Sequence, residues 1–448
     1  MSPGTARSAP PGGAAPDGVA ITGMGLVTPV GSDVGEFFGA LCDGRSGLRT
    51  PPEGHPAAGA VDVAGLAPDI DPASVLPLRE TRAVDRFVLL GLAAADRAIA
   101  DAGLRVGENA DPLRVGVVVS TGGGGLETFE QYSHARQQRG RAAVSPYLLP
   151  GMLSNMASAR VAIKYGARGY SSAIVTACAA GAQSIAEGFR LIRGGDADVV
   201  ICGGTESPLH PTIVAAFGNA RALASGWDNP AEASRPFDKR RNGFVLGEGA
   251  GVFVLERDGH ARARGARVHA RVLGWGATSD AHHPTTPRPD GEGAAACMQQ
   301  ALARAGLSPG DVDYINAHAT STRIGDLAET KAIKSVFGER SQPAVSSIKA
   351  VTGHMLGASG AVEAAATVLS VSRGVLPPTY NLDDPDPECD LDHVLGTARE
   401  GRISVAMSNS FAFGGHNLSL LFGPATGSRP ASTQPISEPG VDDEDSRN

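Results

Sequence analysis

One cysteine and two histidines, each set among residues too small to cover it, are the groups in this chain best placed to do chemistry. Cys178 lies in TACAAG, His318 in NAHATSTRIGD and His354 in SSIKAVTGHMLGASGAVE. Cys178 falls where a strand-like run hands over to a helix-like one. A thiol there feels the positive end of the helix dipole and the free N–H groups of the first turn, which favour thiolate and so a nucleophile. A solitary cysteine is more often a small core residue, and a lone loop histidine is usually solvated, so the reading depends on company. Lys349 lies five residues before His354 and is one of only five lysines in the chain. Asp326 and Glu329 follow His318 on one helical turn, and the turn Asn409–Asn417 (NSFAFGGHN) sets Phe413 before two glycines.

The hydrophobic period names the elements that must position these groups. Ala173–Thr176 reads as a buried strand, followed by a turn through Gly181 and a helix with Ile185, Phe189 and Ile192 on one face. Gly194 and Gly195 end that helix before a strand at Val199–Ile201. Upstream, strands are expected at 19–28 and 115–121 and helices at 34–42 and 83–102, the last with Phe87, Leu90, Ala94 and Ile99 on a stripe. The glycines at 122–125 lack the GK[ST] or GxGxxG spacing of a nucleotide loop and point instead to close backbone approach or room for a ligand. A glycine-punctuated turn and another buried strand fill 234–256. The second half repeats the theme, with strands near 271–275, 314–317, 344–348, 403–407 and 418–422 and helices at 293–305, 326–337 and 358–373. Such alternation predicts mostly parallel sheets covered by helices on both faces. A two-fold echo sets Cys178 at the head of one helix and Gly353-His354 before its counterpart, which would bring both helix N-termini to one pocket.

With 448 residues the chain suits two fused α/β halves, 18–269 and 270–423, between a disordered lead (1–17) and a disordered acidic tail (424–448). A net charge of −8 argues against a broad nucleic-acid or anionic-membrane surface. Five cysteines, widely spaced and without a CxxC pair, offer neither a disulfide framework nor a metal site and suggest a reducing cytoplasm. No apolar run approaches the roughly 20 residues of a membrane span.

Taken together, TACAAG, NAHATST, SIKAVTGH and NSFAFGGHN, in that order, resemble the chain-elongating β-ketoacyl-acyl carrier protein synthases, and the resemblance runs from about Val19 to Gly423. It implies a duplicated thiolase-like five-layer α/β/α/β/α fold. It also implies that Cys178 accepts an acyl group from a carrier-borne phosphopantetheine thioester, with no permanently bound cofactor. The N–H groups of Cys178 and Phe413 would form the oxyanion hole, with Phe413 also a gate. His318 and His354 would bind the malonyl thioester as it loses carbon dioxide. Lys349 would pair with an acid, Glu363 by preference and Glu329 second, while Asp326 supports. Thr320 and Thr322 match hydroxyls that hold the pantetheine arm, and Phe411 and Gly414 flank the gate.

Ala319 and Ala412 stand where the family usually has glycine, Arg323 where it has proline, and Gly123 where isoleucine often floors the acyl tunnel. Ala412 would stiffen the gate loop, and Gly123 would admit longer acyl chains. Arg79 and Arg82 match carrier-docking positions, with Arg86 beside them. The resemblance further implies a dimer through the sheet edge near 172–177, with a second copy or with a Cys-less chain-length-factor homologue. Fatty-acid and type II polyketide or polyene pathways both remain open, with a tilt to the latter. A non-catalytic chain-length-factor role would require loss of the nucleophile, and Cys178 is intact.

Overall fold

The computed structural model describes residues 18–338 and 343–426, so the lead and all but the start of the tail lie outside the described residues. Five strands build the first half: β1 (Val19–Val27), β2 (Val115–Ser120), β3 (Ser171–Ser172), β4 (Val199–Glu206) and β5 (Gly249–Arg257). Five more build the second: β6 (Ala270–Ser279), β7 (Tyr314–Asn316), β8 (Ala344–Ser346), β9 (Ala406–Ala412) and β10 (His416–Pro424). The spatial orders are β1-β5-β4-β2-β3 and β6-β10-β9-β7-β8, the same sequence of roles. Strand directions match too. In each half the first two pairs are antiparallel and the last two parallel. The echo in the sequence is thus a complete duplication, and the sheets are mixed where mostly parallel ones were expected. A short pairing of Val19–Ile21 with Ala270–Val272 joins the two sheets at one corner.

The principal helices are α1 (Arg86–Ala102), α2 (Leu126–Arg139), α3 (Met156–Tyr165), α4 (Ala180–Arg193), α5 (Glu292–Ala305), α6 (Arg323–Phe337) and α7 (Ser359–Arg373). Helices α4 and α7 pack on each other between the sheets, α4 against β2 and β4, and α7 against β5, β9 and β10. Outside, α1 and α3 cover the first sheet, and α5 with α6 covers the second. The result is the expected five-layer α/β/α/β/α arrangement. Each layer boundary has its own apolar core. Ile185, Phe253, Val362 and Leu420 meet centrally, Phe87, Leu90, Val117 and Ile201 beneath α1, and Met298, Leu302, Ile315 and Met407 beneath α5. Among the described residues no helix is long and apolar enough to cross a membrane.

Local chemistry explains most boundaries. Helix α1 starts at Arg86 rather than at the expected 83, because the Asp85 carboxylate accepts the Phe87 N–H and caps it. Ala173–Thr176 is not a buried strand. Only Ser171–Ser172 pairs with β2, and the following residues run half-exposed along the sheet edge, held by the Ile174 N–H on the Ser120 hydroxyl. Pro424, expected to begin the tail, closes β10.

The duplication extends to how helices sit on strands. A Cβ on Gly25 of β1 would lie 2.0 Å from the Ala94 carbonyl of α1, and one on Gly276 of β6 would lie 2.0 Å from the Cys297 carbonyl of α5. Both outer helices therefore rest backbone-to-backbone on their sheets. Gly276→Ala should destabilise the fold by about 1–3 kcal/mol, read as a lowered urea midpoint with unchanged slope.

Candidate active site

Cys178 is the middle residue of a 3₁₀ turn, Ala177–Ala179, that runs straight into α4. Ala177 has φ 47°, a left-handed conformation costly for a residue with a Cβ, and this elbow lifts the sulfur off the helix. His354 arrives from the other half, on the turn before α7. Its Nε2 lies 3.1 Å from Cys178 Sγ, while its Nδ1 sits 3.0 Å from the Ser359 hydroxyl, which also accepts the Met355 N–H. His318 stands two residues beyond β7, its ring centroid 5.3 Å from that of His354 and nearly perpendicular to it. The Phe413 N–H, just past β9, bears on the Cys178 sulfur and pulls its thiol down. A cavity of about 430 Å³ opens onto all three reactive groups and is walled by Thr320, Thr322 and Phe411.

Burial dominates the electrostatics. Desolvation pushes the Cys178 thiol up to about 12, against the pull of Lys349 and of the Phe413 N–H, with Glu206 and Glu363 adding to the rise. The helix-start thiolate expected from sequence is therefore not the resting form, because the loss of water outweighs the favourable dipole. Both imidazoles are held well below their ordinary range, by burial first and the Lys349 charge second. The resting site is a neutral thiol facing two neutral imidazoles.

The supporting residues divide by task. Lys349 and Glu363, each 1% exposed, form a buried ion pair. Glu329 has a different role from pairing with Lys349. It accepts the N–H groups of His318 (2.9 Å) and Ala319 (2.7 Å), is touched by the Asn409 amide, and burial pushes it up to about 7. Asp326 does not line the cavity. It accepts the Ser321 and Phe237 N–H groups, lies 3.6 Å from Arg241, and is pushed up to about 6 by burial. The Thr320 and Thr322 hydroxyls stand 3.1 Å apart. Phe411 packs its ring 6.1 Å from that of His318. Ser359, Asn409 and Glu206 also take part in holding this site; the first two lie within the quoted motifs without being named there, while Glu206 carries no local signal.

Several expected placements change. Gly123 lies outside the cavity, exposed, with its N–H on Glu206 and the Leu126 side chain beside it. Ala412 is extended (φ −129°), so it resists nothing. The left-handed positions are Gly414 and Gly415, which suit them. Gly414 does not line the cavity, and its N–H donates to the Pro284 carbonyl. Arg86 is not a free docking cation. Its guanidinium grips Glu248 at 2.6 and 2.9 Å, tying α1 to the segment before β5. Arg79 is 86% exposed, and the Arg82 side chain lies outside the described residues.

Comparison with known proteins agrees with this geometry. Residues 17–261 match the family model for the β-ketoacyl synthase N-terminal domain and residues 269–383 that for the C-terminal domain. The chain is 45% identical over 406 residues to the 3-oxoacyl-[acyl-carrier-protein] synthase 2 of Synechocystis sp., covering 90% of this chain and 97% of that protein. It is 44% identical over 404 residues to the enzyme of the same name from Coxiella burnetii, with the same coverage. Among solved structures, the ishigamide ketosynthase/chain length factor superposes with a TM-score of 0.84 at 33% identity, over 92% of this chain and all of that one. A type II polyketide synthase acyl carrier protein in complex with its ketosynthase gives 0.84 at 31% identity, over the same shares. With two family models spanning most of the chain and curated relatives 44–45% identical over 90% of it, the chain belongs to the β-ketoacyl synthase family and is a condensing acyltransferase.

Proposed function

We propose that the chain extends an acyl group on an acyl carrier protein by decarboxylative Claisen condensation, with Cys178 as the residue that is acylated. The observation that carries this reading is the 3.1 Å approach of His354 Nε2 to Cys178 Sγ beside a second buried imidazole, His318. In the first step Cys178 attacks the acyl thioester, and its proton leaves on the departing pantetheine sulfur. The N–H groups of Cys178 and Phe413 stabilise the oxyanion. In the second, malonyl thioester loses carbon dioxide and becomes an enolate whose oxygen is held by His318 and His354. Neutral imidazoles suit that task, since decarboxylation creates the carbanion without a base. The enolate attacks the acyl-Cys178 carbonyl, and the expelled thiolate takes up one proton. Thr320 and Thr322 hold the incoming arm, which is substrate and stays on its carrier.

The identity to 3-oxoacyl-[acyl-carrier-protein] synthase 2 proteins favours fatty-acid-type elongation. The type II polyketide setting is the second reading, favoured by the ketosynthase structures that this chain resembles. In either setting the exposed edge beyond β3 fits association with another such chain. Tyr170 and Val175, on either side of β3, and Ile163 of α3, which packs against β3, are exposed large apolar side chains. Gene neighbours or co-purification with a Cys-less homologue separates the two settings.

Incubation with an acyl-carrier thioester should add one acyl group, found on Cys178 by peptide mass. Cys178→Gln should lose condensation by more than about 10⁴-fold yet still release carbon dioxide from malonyl-carrier. Retained condensation in that variant would end the reading. Because the thiol is held near 12, alkylation of Cys178 by iodoacetamide should rise about tenfold per pH unit with no plateau near neutrality. A plateau below pH 8 would place a thiolate in the resting site.

A further inference from the structure

Gly357 occupies in the second half the place that Cys178 holds in the first. Each is the middle residue of a 3₁₀ turn, Ala177–Ala179 or Leu356–Ala358, leading directly into a central helix. Each turn opens on a non-glycine residue in the left-handed region, Ala177 at φ 47° and Leu356 at φ 43°. On the Cys178 side, groups from the second half close over the turn: His318, two residues beyond β7, and Phe413, just beyond β9. On the Gly357 side the halves exchange roles. Gly122, two residues beyond β2, and Glu206, the last residue of β4, close over the turn.

Glu206 is 2% exposed and fully engaged. One carboxylate oxygen accepts the N–H groups of Gly122 at 2.6 Å and Gly357 at 3.0 Å. The other accepts the Thr121 hydroxyl at 2.6 Å and the Gly123 N–H at 3.2 Å. Burial pushes the Glu206 carboxyl up, and the four donors pull against that rise by favouring the ionised form. A Cβ on Gly357 would lie 2.4 Å from the Gly122 nitrogen and 2.6 Å from Glu206 Oε2. No second nucleophile fits there. The duplicate of the active site is filled by a clamp.

That clamp reaches the nucleophile on two sides. A Cβ on Gly122 would stand 3.3 Å from the Ala177 carbonyl oxygen, so the 121–123 loop lies against the residue whose backbone aims Cys178. A Cβ on Gly181 would stand 2.7 Å from the Gly357 carbonyl, so the 356–358 turn lies against the first turn of α4. A non-glycine residue keeps a left-handed backbone only where its surroundings over-determine it. The charges bearing on the thiol are Lys349, Glu206 and Glu363, beside the neutral rings of His318 and His354. Glu363 already pairs with Lys349. Glu206 is thus the acid whose charge can be removed without breaking that pair.

We propose that Glu206 is a positioning residue for Cys178, holding one loop from each half against the elbow that presents the sulfur. The proposal rests on Cys178 being the residue that is acylated. Glu206→Gln keeps the shape but turns an amide NH₂ toward two of the four donors. Its kcat for condensation should fall about 10²-fold, with KM for malonyl-carrier within about twofold. Its Cys178 should alkylate about tenfold faster at mildly alkaline pH, because a nearby negative charge is gone. Thr121→Val removes one hydrogen bond and no charge, so kcat should drop about fivefold while alkylation stays at the wild-type rate.

A folded Glu206→Gln protein that condenses at the wild-type rate overturns the proposal. So does one that slows with unchanged alkylation, which would mark a merely structural role. Should Glu206→Gln fail to fold, wild-type kcat in Thr121→Val overturns it instead. Acyl loading of the wild-type protein runs alongside. Failure of loading at Cys178 sinks the condensing reading itself, whereas a loading wild type with an indifferent Glu206→Gln sinks only the role of Glu206.

Discussion

The two central helices meet through glycines and alanine methyls at their first turns, and the site depends on that contact. A Cβ on Gly181 would collide with the Gly357 carbonyl, and one on Gly360 would come within 2.9 Å of the Ala182 nitrogen. Helices ordinarily keep 8–10 Å between their axes because side chains intervene. Keeping those side chains small at the N-terminal ends lets two loops from different halves face each other at hydrogen-bond range. Cys178 and His354 are 176 residues apart in the chain, and this close approach is what makes a 3.1 Å contact between them possible.

The reactive groups at this contact are buried, and burial sets their charge state. An ionised thiol or imidazolium would lose its hydration with too little compensation, so the reactive groups stay neutral. The buried acids around them each have partners. Lys349 has Glu363, and Glu329 is wrapped by backbone N–H groups that also fix the His318 loop. Removing one member of such a buried pair typically costs about 3–5 kcal/mol, since the other is left uncompensated. The acids therefore keep the reactive groups in place and do not face the sulfur directly.

How much of this was legible in the sequence follows from how local each signal is. The reactive residues sit in short runs of small residues, and α1 and α5 carry apolar stripes, so the site and the layering could be read directly. Arg86 was misread because its partner, Glu248, lies 162 residues away, and RETRAVDRF alone resembles a surface patch. Glu206 gave no signal for the same reason, with partners 83 to 151 residues distant. Helix α2 was missed because it buries no side chain, leaving no period to detect. Ala173–Thr176 has the composition of an interior strand, yet composition cannot tell a strand from a segment that runs unpaired along the sheet edge beyond the last strand. The mixed strand directions were equally hidden, since alternation of elements does not fix the sense of each return.

That last strand has a thermodynamic consequence. The half-exposed segment after β3 leads directly into Ala177 and Cys178, with no element between the rim and the elbow. On the proposed pairing, the rim is completed only when two chains meet, and folding free energy becomes a function of protein concentration through mass action. Dilution would then fray the catalytic turn before it unfolds either half, linking association and catalytic competence in a single equilibrium.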